Sequence, residues 1–306
     1  MLSSIQRNLP LLQISEAAML NDRLEETIHF LLRKAELNIL AFEQNRRTKM
    51  GFMNRRLPFY VMSYHKEGTA KLRIGGDQLI EVPPKTVLFI PPFVLHDHFK
   101  DTGERTEFMY WHFTFMIDRV FDVLQFFQIP YQFPLRNFKL FEETFAGYLA
   151  ELERPKTGFP LGPILEKAKS YELLYYLLQE ALACDEMSAL TSQAHRFLDI
   201  LVHIFQKPEQ PLSLRELAVD YHMNATYISN RFKALYGIGP IQLQREVRIQ
   251  KARSLLAASD LPVAEIGRLV GCEELQHFSR LFKSIVGMSP SDYRRASRNS
   301  IKSELL

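Results

Sequence analysis

The chain is poor in cysteine. Two thiols in 306 residues, Cys184 and Cys272, cannot frame a disulfide-stapled fold, and they fit a reducing compartment. Long apolar runs are also missing. None reaches the roughly 18 residues that a membrane helix needs. The opening stretch, MLSSIQRNLPLLQISEAAML, lacks the charged-then-apolar layout of a secretion signal. These absences predict a soluble, cytoplasmic protein with no membrane partner. Net charge is small as well, at +3, but it is unevenly spread. From Thr191 onward there are 16 Lys/Arg against 11 Asp/Glu, whereas residues 1–190 hold 22 against 24. The length allows two or three domains.

What the chain does have is a pattern written twice near its C-terminus. Asn224 to Arg245 reads NATYISNRFKALYGIGPIQLQR, and Glu274 to Arg295 reads ELQHFSRLFKSIVGMSPSDYRR. Ser229, Phe232, Lys233, Gly237, Pro240 and Arg245 recur fifty positions on as Ser279, Phe282, Lys283, Gly287, Pro290 and Arg295. A fixed-period repeat is one structural unit used twice.

Each copy opens on a short amphipathic helix. Leu214, Leu217, Ala218 and Tyr221 keep helical spacing, as do Val263, Ile266, Gly267 and Val270. Ser213 with Glu216 forms a capping box, and Pro262 suits a first turn. A turn of three to four residues follows, and a second helix starts near Asn224 or Glu274. The predicted buried side is Ile228, Phe232 and Leu235, matched by Phe278, Phe282 and Ile285. The opposite side is Thr226, Ser229, Asn230 and Lys233, matched by Gln276, Ser279, Arg280 and Lys283. It is short, polar and cationic, so it can bond base edges and phosphates. Gly237 and Gly287 stand where a helix end takes a left-handed residue, and Pro240 and Pro290 prevent continuation. Helix, tight turn, helix is the DNA-binding helix-turn-helix. Ile241 to Ala258 reads as one connecting helix of roughly 25 Å, able to set two reading heads on one side of a duplex. A plain helical bundle with solvated basic faces is the alternative.

Residues from about 192 to 298 resemble the DNA-binding domain of the AraC family of transcription regulators, most densely in IGRLVGCEELQHFSRLFKSIVGMSPSDYR. Two positions depart from the family pattern. Cys272 stands for an aromatic and Gly267 for the usual alanine, which predicts a slightly softer second unit. The resemblance implies base-reading roles for Thr226, Ser229, Asn230, Gln276, Ser279 and Arg280. Arg280 is then a guanine reader or a phosphate contact, with Lys233 and Lys283 neutralising the backbone.

Residues 35 to about 134 have another texture. Short β-rich runs (AELNILAFEQ, LPFYVMSYH, TAKLRIGG, KTVLFIPPFVLHDHF, FMYWHFTFMI) are cut by Gly and Pro signals, as in a sandwich or barrel. The layout resembles the cupin-like effector domain found ahead of AraC-type pairs. His96 and His98 share one face of an extended segment, and His112 lies on a later strand. Three histidines could bind a metal, but no glutamate, Glu104 and Glu107 included, sits at the cupin spacing, and no cofactor is expected. Trp111, the only tryptophan, alternates with Tyr110 and His112, so the two sets cannot line one cavity. The candidate ligand residues are His96, His98, Tyr110, Trp111 and His112, with the phase open and the Trp111 face favoured.

Residues 136 to 185 carry helical periodicity through Phe138, Phe141, Phe145 and Tyr148, then Ile164, Leu165, Ala168, Tyr171, Leu174 and Leu178. They would dimerise the protein or pack on their own barrel. Linkers are expected at 184–191 and 207–211, a bracing helix at 193–205, and a frayed polar tail after Ser297.

The expected architecture is multi-domain α+β. Residues 1–135 form an all-β cupin-like barrel, 136–190 a helical dimerisation or linker region, and 191–306 an all-α domain with two helix-turn-helix motifs. The expected function is that of a non-enzymatic, ligand-responsive transcription regulator that binds double-stranded DNA. By resemblance it is an activator working with RNA polymerase, a homodimer, with a small effector, plausibly a sugar. The rivals are a metal-dependent cupin enzyme with a DNA-binding tail, and a constitutive regulator whose first half only dimerises.

Overall fold

The computed structural model describes residues 25–75, 78–101, 103–127, 129–153, 161–183 and 195–304. The expected linker at 184–191 lies outside the described residues. The chain divides into two compact units. A sheet unit comprises Glu36–Phe115 and Phe126–Leu190, and a helical unit comprises Met1–Ala35, Met116–Gln125 and Thr191–Leu306. The described part of helix α1 (25–34) belongs to the second.

The sheet unit holds two antiparallel sheets. One runs β1 (Ala35–Arg47), β8 (Thr106–Ile117), β3 (Tyr60–Glu67), β6 (Thr86–Ile90), β10 (Gln132–Pro134). The other runs β2 (Met50–Arg55), β7 (His96–Lys100), β4 (Ala70–Ile74), β5 (Gln78–Val82). Five strand regions were legible as runs of β-formers, and KTVLFIPPFVLHDHF resolves into β6 and β7. Strands β2, β5 and β10 leave no such run, because they are short and β2 and β5 are edge strands with exposed positions.

Period-two alternation gives the first sheet two different faces. Toward the second sheet point Val61 and Phe108, with Tyr110 packed alongside; they meet Leu72, Ile74 and Val82 in one apolar cluster. The outer face carries Tyr64, Trp111 and Phe113. It is covered by α2 (Phe138–Glu153), whose Phe145 stacks on Phe42 at 3.9 Å between ring centres and whose Phe141 meets Tyr64 at 5.5 Å. Such aromatic pairs contribute about 0.5–1.5 kcal/mol each beyond their burial. Helix α3 (Gly162–Leu182) buries Leu173, Leu174 and Leu177, and its Tyr171 hydroxyl oxygen accepts from the Leu37 amide at 3.0 Å. The helices of the middle region therefore pack on their own sheet.

The helical unit follows the repeat. Helix α4 (His195–Gln206) is the expected brace; its Phe197 stacks on Tyr221 and meets Phe232 edge-on. The first motif is α5 (Leu214–Asp220) and α6 (Ala225–Tyr236), the connector is α7 (Pro240–Ala258), and the second motif is α8 (Val263–Leu269) and α9 (Leu275–Val286). Helix α10 (Pro290–Glu304) then repeats α7. The expectation of a frayed tail after Ser297 is corrected: the chain stays helical to Glu304. Tertiary bonds anchor this polar helix as far as Arg298. Arg294 and Arg298 donate to the carbonyls of Leu261 and Ser259, and Arg298 also pairs with Asp260. The last two residues of β8 (Met116 and Ile117) and β9 (Phe121–Asp122) also belong to this unit, with the Phe121 ring against Phe205 and Tyr236.

Candidate nucleic-acid interface and effector face

The caps of the two motifs come from the residues the sequence offered. The Ser213 hydroxyl accepts from the Glu216 amide, and the Asn224 carboxamide oxygen accepts from the Thr226 amide at 2.8 Å. Glu274 occupies the equivalent N-cap without a side-chain bond. Gly237 (φ 72°) and Gly287 (φ 87°) end α6 and α9 in the left-handed region. The turns match too: His222 (φ 51°) and Gly271 (φ 78°) are the left-handed residues of the two copies.

Ile228 and Phe232 in one copy, and Phe278 and Phe282 in the other, are fully buried. The third expected pair is displaced by one residue. Tyr236 is buried in place of Leu235, and Val286 packs into the second core while Ile285 is 37% exposed. At 3.6 residues per turn, a step of four from Phe232 or Phe282 stays closer to the buried stripe than a step of three in these last turns.

The outward faces are as read from the repeat. Thr226, Asn230, Lys233, Gln276, Arg280 and Lys283 are exposed, and Ser229 and Ser279 are half-buried at the edge. Among the described residues none of Lys233, Arg280 or Lys283 is held in an ion pair. The exposed pair Tyr227 and His277 shares these faces and was missed. Both carry donors or acceptors at repeat-equivalent positions, which was the signal available.

The connector carries the relation between the copies. It is 19 residues long, about 28 Å. Gln244, Arg248 and Lys251 fall at i, i+4 and i+7 on it, so they share a side. They grip the segment before the first motif. Gln244 bonds the Gln210 carbonyl and the Leu212 amide, and Lys251 pairs with Glu209 at 3.2 Å. The Arg248 guanidinium donates to the carbonyls of Pro208 and Glu209, and also to that of Gly271 in the second motif's turn, at 2.5, 3.1 and 3.3 Å. Fifty positions on, Arg298 serves the segment before the second motif in the same way. One side chain thus ties both copies to one helix.

In the sheet unit, His96, His98, Tyr110 and His112 turn to the interior between the sheets. His65, missed in the sequence, joins them: its Nε2 lies 3.1 Å from Nε2 of His98. His65, His96 and His98 are buried, and Tyr110 and His112 are half-buried. Trp111 does not join them. It is fully buried on the opposite face of β8, 4.7 Å from the Phe113 ring, so the favoured phase, with the Trp111 face toward a ligand, is corrected. The aromatics of α2 and β1 claimed that face, which periodicity on one strand could not reveal.

Burial holds these imidazoles neutral. It pushes His65 down to about 4, helped by the Lys100 charge, and His112 to about 4, helped by Arg55. His98 lies well below the usual range through burial and its histidine neighbours, and His96 is lowered by burial against the pull of its bond to Val94. Burial and the carboxylate of Glu43, which accepts its hydroxyl, push Tyr110 up to about 12. Among the described residues no group of three or more His, Cys, Asp or Glu is arranged to hold a metal ion. An open cleft of about 550 Å³ elsewhere on the unit holds none of these residues, and its Lys71 and Lys100 are already bonded to Asp101 and the Thr69 carbonyl.

Among the described residues no helix is long and apolar enough to cross a membrane. Residues 217–296 match the family described as a helix-turn-helix domain. The MmsAB operon regulatory protein of Pseudomonas aeruginosa is 27% identical over 242 residues, covering 78% of this chain and 76% of that protein. The arabinose operon regulatory protein of Salmonella typhimurium is 23% identical over 245 residues, covering 77% and 83%. The solved C-terminal domain of AraT, a response regulator from Geobacillus stearothermophilus, is 32% identical, with 33% of this chain and 84% of that one covered and a TM-score of 0.32. Residues 217–296 therefore carry a helix-turn-helix domain, and over more than three quarters of its length the chain is similar to these two operon regulatory proteins.

Proposed function

We propose that the chain is a sequence-specific, ligand-responsive regulator that reads two adjacent major-groove segments of double-stranded DNA with α6 and α9. The observation that carries this is the pair of exposed, acid-free faces at repeat-equivalent positions: Thr226, Ser229, Asn230 and Lys233, then Gln276, Ser279, Arg280 and Lys283. Short polar groups on a groove-sized helix bond base edges, and the cations bond phosphates. The Arg248 tie supports simultaneous docking, because it links the segment before one motif to the turn of the other. Arg280 offers the fork that fits guanine.

The interior face of the sheet unit is the place for a small effector, with His96, His98, Tyr110 and His112 as contacts and a sugar as the class suggested by resemblance. An effector shifts such a regulator only if it binds two states unequally. Homodimerisation through the sheet unit, activation of transcription and contact with RNA polymerase complete the proposal. Selection of bound fragments from the host genome by the purified chain tests it. Enrichment of one motif spanning two groove segments supports the reading, and enrichment of none rejects it.

A further inference from the structure

The interior face of the sheet unit contains a guanidinium that simple alternation would have sent to the other side. On β2, Phe52 lies opposite His98 and Arg55 opposite His96. Three steps along β2 thus match two along β7, which is a β-bulge. A bulge re-aims the side chain after it. Asn54 takes the strain at φ 53°, and its amide donates to Oδ1 of Asp97 at 2.6 Å. Oδ2 of Asp97 accepts from Arg73 at 3.0 Å, which fixes the carboxylate. Strained bulges held by a dedicated carboxylate concentrate at functional sites.

The result is that Arg55 faces the imidazoles. Its charge acts on His96, His98 and His112, and it senses Tyr110. Among the described residues the Arg55 guanidinium makes no side-chain hydrogen bond and no ion pair; it lies over the Phe52 ring, 5.1 Å away. The nearby carboxylate, Glu43, is occupied by Tyr110 and Asn45. Five N–H donors therefore stand half-buried with no acceptor.

His96 supplies the complementary group. Its Nδ1 must donate to the Val94 carbonyl, 2.9 Å away, because a carbonyl only accepts. Nε2 of the neutral ring is then an acceptor. It is buried and has no partner in a residue only 2% exposed. A buried acceptor left bare is destabilising, and a ligand donor would relieve it. The surroundings, Val61, Leu72, Ile74, Ile90 and Phe108, are apolar. With the histidines neutral, Arg55 is the cation beside His96, and Lys100, farther along β7, is already bonded to the Thr69 carbonyl, so the Arg55 fork matches a single carboxylate.

We propose that this face binds a small aliphatic hydroxycarboxylate, with its carboxylate on the Arg55 fork and its hydroxyl donating to Nε2 of His96. The inference rests on the reading that the sheet unit holds the effector, and it names the ligand's chemistry.

The test is calorimetry and thermal shift on the full chain. The probes are short 2- and 3-hydroxycarboxylates, the same acids without the hydroxyl, the corresponding hydroxyamides, and neutral aldopentoses. A hydroxycarboxylate is expected to bind and raise the melting temperature by mass action. Loss of either its charge or its hydroxyl should weaken it by about tenfold or more. Arg55→Gln should do the same, while Arg55→Lys, which keeps the charge and loses the fork, should fall between. Nitrogen-15 spectra should show the Nε2 signal of His96 moving on binding in wild type. The unliganded melting temperature of each variant shows that it has folded. Binding of an aldopentose but of no acid leaves an effector site and overturns this proposal. Equal binding of acid and amide overturns it too, as does binding that survives Arg55→Gln, or no binding by any hydroxycarboxylate.

Discussion

Gly271 lies so close to Glu209 that a Cβ added to it would sit 2.2 Å from the Glu209 carbonyl oxygen. The turn of the second motif is thereby pressed on the backbone leading into the first, and Arg248 bonds carbonyls on both sides of the contact. Gly271 also needs φ 78°. Gly271→Ala meets both a steric and a conformational penalty, about 1–3 kcal/mol for the backbone alone. The melting temperature of the helical unit, followed by far-ultraviolet circular dichroism, should fall. An unchanged value would show that the contact is loose.

Gly267 behaves differently. Alanine there should gain about 1 kcal/mol of helix propensity. Its Cβ, however, would lie 3.1 Å from the Cys272 carbonyl oxygen and 3.3 Å from Phe278. The backbone oxygen is itself fixed in the turn, since the Cys272 amide bonds the Gly267 carbonyl at 2.8 Å. Gly267→Ala is expected to bring no net stabilisation. A rise of the full 1 kcal/mol in chemical denaturation would mean that the turn gives way freely.

On DNA, Arg280→Ala and Lys283→Ala should separate. The first should cost about 1–3 kcal/mol on the selected site and relax preference at one base pair. The second should weaken all sequences alike and reduce the salt slope by about one. Titrations at several salt concentrations with specific and scrambled duplexes read both effects. Identical behaviour would undo the assignment of roles.

The buried imidazoles set a pH dependence. His65 and His112 ordinarily titrate near 6.5 but are held near 4 in the fold. Between those values the unfolded chain binds more protons than the folded one, so stability falls as pH falls. The stabilisation is complete above about 6.5 and is lost on acidification toward 4. Trp111, single in the chain and fully buried in the sheet unit, reports this by fluorescence. Its unfolding midpoint in urea should decline between pH 6.5 and 4. A flat midpoint would place these histidines in water.

The linear chain specified whatever depends on neighbours within a few turns of helix. The repeat, its caps at Ser213 and Asn224, its glycine stops and the polar faces of α6 and α9 all follow from local spacing, because helix period and capping chemistry act over fewer than ten residues. Folding in three dimensions settled what depends on distant partners. Alternation along β8 showed that Trp111 and His112 part company, but only the aromatics of α2 decided which of them went to the core. The bulge at Asn54 needed Asp97 from another strand to turn Arg55 inward. The clasp of Arg248 on residues forty positions earlier, and of Arg298 on the segment before the second motif, left no local trace. A polar tail that reads as frayed in one dimension is helical to Glu304 in three, anchored through Arg298.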